Sequence, residues 1–467
     1  MKEEVSQFLK EKRFRRRLKS KAKRKRKRIA KQKAFEASKG IRLAGKTITS
    51  YNDALLHFMP LHFLHLITKD NSPFHQDKLP QKERTLKETI VIPKRFSIVE
   101  NPGPSYRVLK DLVASLLYQH CDELLLDYKD CDYCDLVTQV FMDSILKSHD
   151  RFVKLCKIAK LTKYIGISGI GAQNINNHSL QLMINSVGSP VELLNRKMQF
   201  PNVIPFRLRH LEAKEVTQEK IEGQKEIDAT ELIEYVEKCL VRFHKTLTQD
   251  AKRDLGYVIG ETIANAEEHS TLHNRYLIGY MEESNECDSH YGLLNVVIMN
   301  TGNTIYERFK FPEENEVINT ECVKQMQELS NKFVKKGFFS LNRFTEENLW
   351  TLYSLQGGVS IVPKEIRNRG NGTIGFIQSF FNLKGSSSVD NISRMTIISG
   401  NTQIDFDGTY QISKTYRSDG TRVERMTFND SNSLDDKPNS KYVHHIDNYF
   451  PGTLISAKLL INDDDVQ

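Results

Sequence analysis

One short segment, DLGYVIGETIANAEEHS at residues 254–270, places polar side chains at a spacing that could bind a metal ion and activate water. Glu261, Asn265 and Glu268 are three or four residues apart and would share one face of a helix. An Asn side-chain oxygen together with phosphate oxygens suits Mg²⁺, which prefers hard oxygen ligands. A nearby Glu can accept a proton from an attacking water or orient it. On spacing alone, an ordinary amphipathic helix with a polar face is the simpler interpretation.

The apolar residues of this segment also recur at helical spacing, and they would face a protein core. They are Leu255, Val258, Ile259, Ile263 and Ala266. The segment is therefore predicted to be an amphipathic helix that is buried on one side and presents Glu261 and Asn265 on another.

The order of residues in this helix resembles a known motif. The pattern Glu261-x-x-x-Asn265-Ala266-x-x-His269-Ser270 is similar to the N-box of the GHKL ATPases (histidine kinases, gyrase B and MutL), especially the branch with anti-sigma-factor kinases. In that family the Asn coordinates magnesium and the Glu serves as general base. The resemblance implies these roles for Asn265, as metal ligand, and Glu261, as catalytic base. His269 matches a residue near the phosphates.

A second block follows in the order that the family shows. The apolar segment LLNVVIM, predicted to be a buried strand, leads into Asn300-Thr301-Gly302-Asn303-Thr304, at the place of the family's adenine-binding DxGxG box. Gly302 matches the box, whereas Asn300 replaces its Asp and Thr304 its second Gly. An Asn oxygen can still accept a hydrogen bond from the adenine amino group, but without the charge of an Asp.

A third block, RGNGTIGF at residues 369–376, resembles the family's GxGxG box, which binds phosphates. Glycines allow the backbone to approach a ligand closely, and successive N–H groups can form an anion-binding nest. A helix from Thr373 onward would point its N-terminus at the phosphates. Near the end of the chain, Gly452-Thr453 correspond to residues close to the nucleotide in relatives.

The resemblance therefore implies ATP and Mg²⁺ as cofactors. The cofactor-binding residues that it implies are Asn265, His269, Asn300, Gly302, Gly370, Gly372, Thr373, Gly375 and Thr453. Residues 306–368 would form a flexible lid, in which Thr345 is the predicted N-cap of a helix that stops at Gly357-Gly358.

The elements around these motifs predict an α/β protein. Residues 225–463 are predicted to form an ATP-binding domain with the Bergerat-type α+β sandwich of the GHKL superfamily. In residues 85–220, strand and helix signals alternate, which predicts a smaller α/β domain. Its segment DELLLDYKDCDYCDLVTQVFMDSIL resembles the core of a STAS-type domain, the fold of anti-anti-sigma factors, and a regulatory role follows from that resemblance. A chain of 467 residues fits two or three domains.

The net charge of +9 is unevenly distributed. Residues 10–33 contain 16 Lys or Arg and one acidic residue, a local charge of +15, so the rest of the chain carries −6. Residues 1–38 are therefore predicted to be a basic arm, either a solvated helix or a disordered tail. Such an arm can contact the phosphates of RNA or DNA, although a solubilising extension is an equally weighted alternative.

Residues 39–84 are predicted to be a helical segment that ends in a linker. The apolar stretch at 54–67 contains Pro60 and is too short to span a membrane. The chain is charged from Lys2 onward and shows no hydrophobic signal core. Seven cysteines, an odd number, suggest reduced thiols. A cytoplasmic protein without membrane contact is expected.

Two sets of potential metal ligands are not assigned to a metal. Cys131 and Cys134 form a lone CxxC without a second pair of ligands. His57, His62 and His65 lie close together, but no cysteine or carboxylate completes a ligand set. The histidines are expected to pack within a helix.

Several functions remain open at this point. No HExxxP-like segment precedes the predicted ATP-binding domain, and His210 lacks both the Pro and a helical pair, so a two-component kinase is not expected. The leading hypothesis is an ATPase switch whose nucleotide state is read by the upstream domain or a protein partner. The alternatives are a Ser/Thr protein kinase of anti-sigma type and a non-catalytic scaffold that binds nucleic acid. A homodimer stays open because relatives often dimerise.

Overall fold

The structure is a computed structural model of the chain, and parts of the chain lie outside what it describes. It describes residues 48, 50–167, 169–187, 204, 206, 208–212, 218–269, 272, 274–282, 290–312, 317–334, 344–361, 372–384, 392–416 and 422–467. The backbone alone is described at residues 212, 218–222, 225, 264–269, 290, 372 and 422. The predicted basic arm, residues 1–38 with its Lys/Arg-rich stretch 10–33, lies outside the described residues.

The described helices are numbered in chain order. They are α1 (Tyr51–Phe58), α2 (Leu61–Thr68), α3 (Pro102–Tyr118), α4 (Leu136–Ile158), α5 (His178–Val187), α6 (Gln218–Leu240), α7 (Gln249–His269), α8 (Ile305–Lys310), α9 (Thr320–Phe333), α10 (Glu346–Ser354) and α11 (Gly372–Lys384). Short 3-10 turns are found at Gln76–Lys78, Thr162–Tyr164 and Val241–Phe243.

The described strands are numbered in the same way. They are β1 (Thr85–Val91), β2 (Arg95–Phe96), β3 (Cys121–Asp127), β4 (Tyr133–Cys134), β5 (Gly169–Gln173), β6 (Arg209–Glu212), β7 (Asn274–Glu282), β8 (His290–Thr301), β9 (Arg394–Phe406), β10 (Ser413–Tyr416), β11 (Arg422–Arg425) and β12 (Val443–Asn462). Parallel and antiparallel sheets both occur, and the protein belongs to the mixed α/β class, as predicted.

The chain divides into two compact units, of which the first comprises Met1–Pro60 and His149–Gly166. In it, α1 begins at a capping box, because Ser50 Oγ accepts from the Asp53 N–H at 3.1 Å and the Asp53 carboxylate accepts from the Ser50 N–H at 2.9 Å. The ring of Tyr51 packs edge-on against Phe152, with 6.1 Å between centroids. Aromatic contacts thus stabilise this small unit.

The second unit comprises Leu61–Ser148 and Ile167–Gln467, and it contains two main sheets. The first is the parallel sheet β1-β3-β5, whose strands are connected through α3 and α4. The helix α3 begins at Pro102, whose missing N–H is not needed at a helix start, and ends at Tyr118, which is followed by Gln119 in the left-handed conformation. Asp135 precedes α4, and its carboxylate accepts from the Thr138 N–H at 2.6 Å.

The other main sheet is antiparallel, with strand order β6-β7-β8-β12-β9. The strands β8 and β12 pair over most of their length, from Asn462↔His290 to Gly452↔Thr301. The helix α7 packs on this sheet through the apolar face that the sequence predicts. Its residues Leu255, Val258, Ile259 and Ile263 are buried, whereas the side chain of Ala266 is not described.

The predicted domain limits stay predictions. The predicted limit at 84/85 coincides with the start of β1 at Thr85, whereas the limit at 220–225 falls inside the continuous helix α6. The segment 39–84 contains α1 and α2, both of which bury apolar side chains. In the part of the chain that the structure describes, no helix is long and apolar enough to cross a membrane.

Candidate functional site

The helix α7 presents the residues of the predicted N-box. It begins after Thr248, whose hydroxyl accepts a hydrogen bond from the Ala251 N–H at 3.2 Å. Glu261 is half-buried on α7. Asn265 and His269 lie one and two turns further along the same helix, where only the backbone is described.

The helix α11 packs side by side with α7, and Gly375 marks the closest approach. A Cβ at Gly375 would lie 2.6 Å from the Tyr257 hydroxyl oxygen and 2.7 Å from its Cε1, so only a residue without a Cβ fits this geometry. Farther along α11, Ser379 Oγ donates to Asp254 Oδ1 at 3.0 Å, and Asn382 Nδ2 donates to Asp254 Oδ2 at 3.1 Å. The two helices run antiparallel, because Gly375 lies beside Tyr257 whereas Ser379 and Asn382 contact the earlier residue Asp254.

This packing places Gly375 of the predicted phosphate box beside Tyr257 of α7. Tyr257 precedes Glu261 by one turn of α7, and Gly375 lies in the first turn of α11. Burial, followed by the carboxylates of Glu261 and Glu424, raises the pKa of Tyr257. Of the other predicted phosphate-box residues, Gly372 and Thr373 begin α11, whereas Gly370 lies outside the described residues.

The predicted adenine-box residues meet where β8 and β12 end together. Asn300 is fully buried, and its Oδ1 accepts a hydrogen bond from the Thr453 N–H at 2.9 Å. Gly302 N–H donates to the Pro451 carbonyl oxygen at 3.1 Å. A Cβ at Gly452 would overlap the carbonyl oxygen of Asn300, so glycine is required for this close pairing. Asn300, Gly302 and Thr453 are thus brought together.

Ser399 completes this polar group, although the sequence offered no sign of it. Its Oγ lies 2.9 Å from the Thr453 Oγ1 and accepts from the Ile305 N–H at the same distance. It also donates to the Gly452 carbonyl oxygen at 3.3 Å. Ser399 lies on the buried strand β9, and its pairing with Thr453 depends on the register between β9 and β12.

An acidic cluster surrounds the loop Gly302–Thr304. Glu307 forms a capping box with Thr304, accepting from its N–H at 2.9 Å, and also accepts from the Tyr449 hydroxyl at 2.9 Å. Lys69 Nζ lies 2.7 Å from Glu307 Oε2. The T-x-x-E pattern of this capping box is visible in the sequence, whereas the contacts of Glu307 with Tyr449 and Lys69 arise only from the fold.

Glu347, at the start of α10, is the strongly perturbed acid of this cluster. Its Oε1 accepts from the Asn401 N–H at 2.8 Å. Burial, with a smaller contribution from Glu307, raises the pKa of Glu347 to about 7, against the lowering effects of the Asn401 N–H and Lys69. The group therefore titrates near neutral pH, which is unusual for a Glu.

The residues that the sequence excluded from metal binding have other contacts. Cys131 and Cys134 are buried free thiols, and burial raises the pKa of both. His62 Nε2 lies 2.8 Å from Ser148 Oγ and 2.9 Å from the Tyr276 hydroxyl. In the described part of the chain, no group of three or more His, Cys, Asp and Glu side chains could hold a metal ion.

Comparison with known proteins gives no further assignment. No protein-family model matches this chain, and neither a curated protein nor a solved structure is significantly similar to it. The site is therefore interpreted from its own geometry.

An apolar cavity lies between α7 and the antiparallel sheet. Its volume is about 10 Å³, roughly the space that one water molecule needs. Residues of α7 and of the facing strands line it, among them Val258, Thr262, Ile298, Met395 and Ile455. Its walls lack charged groups, and it belongs to the packed core beneath α7.

Proposed function

We propose that this chain is a magnesium-dependent ATP-binding protein of GHKL type, and that it acts as an ATPase switch. The observation that carries the proposal is the packing of Gly375 against Tyr257. It sets the first turn of α11, which would bind phosphates, beside the turn of α7 that presents Glu261. A helix N-terminus with a neighbouring carboxylate is an arrangement that suits phosphate binding and activation of water.

The site residues divide into three roles in this proposal. Asn265 would coordinate Mg²⁺, and the N–H groups at the start of α11, from Gly372 and Thr373, would bind phosphate oxygens. Glu261 would accept a proton from the attacking water. Bound Mg²⁺ would neutralise charge on the phosphates. His269 would lie near them, as would Gly370.

The order of the elements supports a Bergerat-type arrangement of residues 225–463. The N-box helix α7 is followed by β7 and β8, then by the region of α8, α9 and α10, and finally by α11, β9 and β12. The adenine side would involve Asn300, Gly302 and Thr453, which lie together where β8 and β12 end. The region of α8 to α10 would supply the lid.

The upstream part of the chain would read the nucleotide state. The parallel sheet β1-β3-β5, for which a STAS-like regulatory role is proposed, is one candidate, and a protein partner is another. A cytoplasmic location is part of the proposal. It is supported by the cysteines of the described residues, six of which are buried thiols.

Calorimetry with Mg²⁺-ATP tests the proposal on the full chain. We expect binding by the wild type, loss of binding in Asn265→Ala, and normal binding in Asp250→Ala, a control at an exposed position in the first turn of α7. Glu261→Ala should retain binding while hydrolysis falls by about 10²–10⁴-fold. Phosphate recovered on a protein partner rather than in solution would indicate the Ser/Thr kinase alternative. A folded wild type that does not bind ATP rules out the proposal.

A second candidate function is a non-catalytic scaffold that binds nucleic acid through residues 10–33. The observation that favours it is the hydrogen bond between Asn300 Oδ1 and the Thr453 N–H. The acceptor that the GHKL family offers to adenine is thereby engaged within the protein, and it carries no charge. If the chain is such a scaffold, we expect it to fold and to bind RNA or DNA, but to have no affinity for ATP.

A further inference from the structure

The helix α2 contacts the loop Gly302–Thr304, which contains Gly302 of the proposed adenine-binding residues. One side of α2 is apolar and buried, with Phe63, Leu66 and Ile67 each no more than 2% exposed. Two polar side chains at its C-terminal end, His65 and Lys69, are directed toward the region where β8 ends. Both residues belong to the segment 39–84, which the sequence predicted to be helical and to end in a linker.

His65 binds the loop directly. Its Nε2 lies 3.2 Å from the carbonyl oxygen of Gly302, a contact between residues 237 positions apart in the chain. A carbonyl oxygen can only accept a hydrogen bond, so Nε2 must carry the proton. Burial, followed by the charge of Lys69, lowers the pKa of His65, which favours the neutral imidazole.

Lys69 binds the other side of the same loop through Glu307. Lys69 Nζ donates to Glu307 Oε2 at 2.7 Å, and both side chains are about 14% exposed. The same carboxylate oxygen accepts from the Thr304 N–H, while the Thr304 hydroxyl accepts from the Glu307 N–H at 3.1 Å. A movement of the loop from Gly302 to Thr304 would therefore disturb both contacts with α2.

The N-terminal end of α2 is tied to other elements. His62 contacts Ser148 in α4 and the Tyr276 hydroxyl in β7. One helix thus joins the loop after β8, the antiparallel sheet, and the helix that connects β3 with β5. His62 lies one turn before His65 on α2, so a displacement of the helix at His65 would move His62 as well.

We infer that His65 and Lys69 are positioning residues of the nucleotide site, and that α2 conveys the state of the loop Gly302–Thr304 to α4. The inference rests on the proposed function for the identity of the ligand, whereas the contact with the loop does not depend on it. The helix α2 would affect nucleotide binding through the backbone of this loop.

The experiment measures two quantities on the full chain: the Kd for Mg²⁺-ATP, and hydrogen exchange of the backbone amides in the loop. The variant His65→Leu removes the donor to Gly302. His65→Gln restores a donor at a similar reach, and Lys69→Met removes the charge while keeping the aliphatic stem. Thr68→Ala is the matched control, because the Thr68 hydroxyl bonds the Leu64 carbonyl of its own helix.

We expect His65→Leu and Lys69→Met to weaken ATP binding by about three- to tenfold and to speed exchange in the loop. His65→Gln should recover most of both effects, and Thr68→Ala should change neither. Normal affinity and exchange in both His65→Leu and Lys69→Met would overturn the inference while leaving the proposed function intact. A wild type that does not bind ATP would instead overturn the proposed function. In that case the hydrogen-exchange rates alone would show whether His65 and Lys69 hold the loop Gly302–Thr304 in position.

Discussion

Gly375 of α11 faces the phenol of Tyr257 so closely that a Cβ would lie 2.6 Å from the hydroxyl oxygen. The sequence assigned Gly375 to a phosphate-binding loop, and the structure gives the same residue a packing role between two helices. Because the glycine permits this approach, the first turn of α11 lies beside the helix of Glu261. The relationship suggests a direct test of how tightly the two helices are coupled.

We predict that Gly375→Ala lowers the free energy of unfolding of the wild type but raises that of the variant Tyr257→Ala. In the wild type the added methyl group must displace Tyr257, so the variant should lower the free energy of unfolding by about 1 kcal/mol. In Tyr257→Ala the three closest contacts of the methyl group are removed, and the higher helix propensity of Ala should raise the free energy of unfolding by about 0.5–1 kcal/mol. Urea unfolding of the four proteins gives the coupling energy. An effect of the same sign and size in both backgrounds would show that α7 and α11 are not in contact here.

Asn300 provides a test of the adenine side. Asn300→Asp keeps an acceptor for the Thr453 N–H and adds the charge that the GHKL family has at this position. Under the proposed function, ATP should bind more tightly than to the wild type, even though burial of a charge lowers the stability of the nucleotide-free protein. The measurements are calorimetry with ATP and GTP, and urea unfolding.

Asn300→Leu is the counterpart of this change. It leaves the buried Thr453 N–H without its acceptor, which should cost about 1–3 kcal/mol in the free energy of unfolding. ATP affinity should fall at the same time. Unchanged ATP affinity in both Asn300→Asp and Asn300→Leu would show that this residue does not contact the nucleotide.

Glu347 should make the stability of the protein depend on pH. Its pKa is about 7 in the folded protein and 4.5 as the ordinary value. Between these pH values the folded state holds a proton that the unfolded state has released. The contribution of Glu347 to stability therefore falls as pH rises through this window and is constant above it, with a total loss of up to about 3 kcal/mol.

The variant Glu347→Gln should lose this pH dependence and be more stable than the wild type at pH 8. Urea unfolding at pH 5, 6, 7 and 8 measures the difference. Glu346→Gln is the matched control. Burial raises the pKa of Glu346, but hydrogen bonds from Tyr306 and Lys310 outweigh it and hold the pKa below 4.5. This control should change stability by the same amount at all four pH values. If the free energies of unfolding of Glu347→Gln and the wild type depended on pH in the same way, the raised pKa of Glu347 would be contradicted.

Local features of the fold could be predicted from the sequence. Apolar periodicity predicted the α7 helix and its buried face, which Leu255 and Ile263 confirm. Thr345 was predicted to be an N-cap, and its hydroxyl accepts from the Asn348 N–H at 3.2 Å. These features depend on residues within a few positions of one another, so their physical causes are visible in a short window.

The contacts around Gly302 could not be predicted in this way. His65 and Lys69 reach the loop from more than 230 positions away, and their apolar neighbours in α2 gave no indication of which element would cover them. The raised pKa of Glu347 depends likewise on burial and on Glu307, both of which follow from tertiary packing. Of these features, the sequence predicted only the helix that contains Glu347.

The basic stretch at residues 10–33 distinguishes the ATPase proposal from the scaffold alternative. Deletion of residues 1–38 should abolish binding of the chain to RNA and DNA, because 16 Lys or Arg are lost with the stretch. In the full chain, log K should fall linearly with log salt, with a slope of about −0.7 per phosphate contacted on single strands and −0.9 on duplex DNA. Fluorescence anisotropy at several salt concentrations measures the affinity for nucleic acid and its dependence on salt.

Asn265→Ala, which changes no charge, should bind nucleic acid normally. Equal affinity with and without residues 1–38 would exclude the arm as the binding element. ATP affinity that persists after deletion of residues 1–38 would show that the nucleotide site does not require the arm.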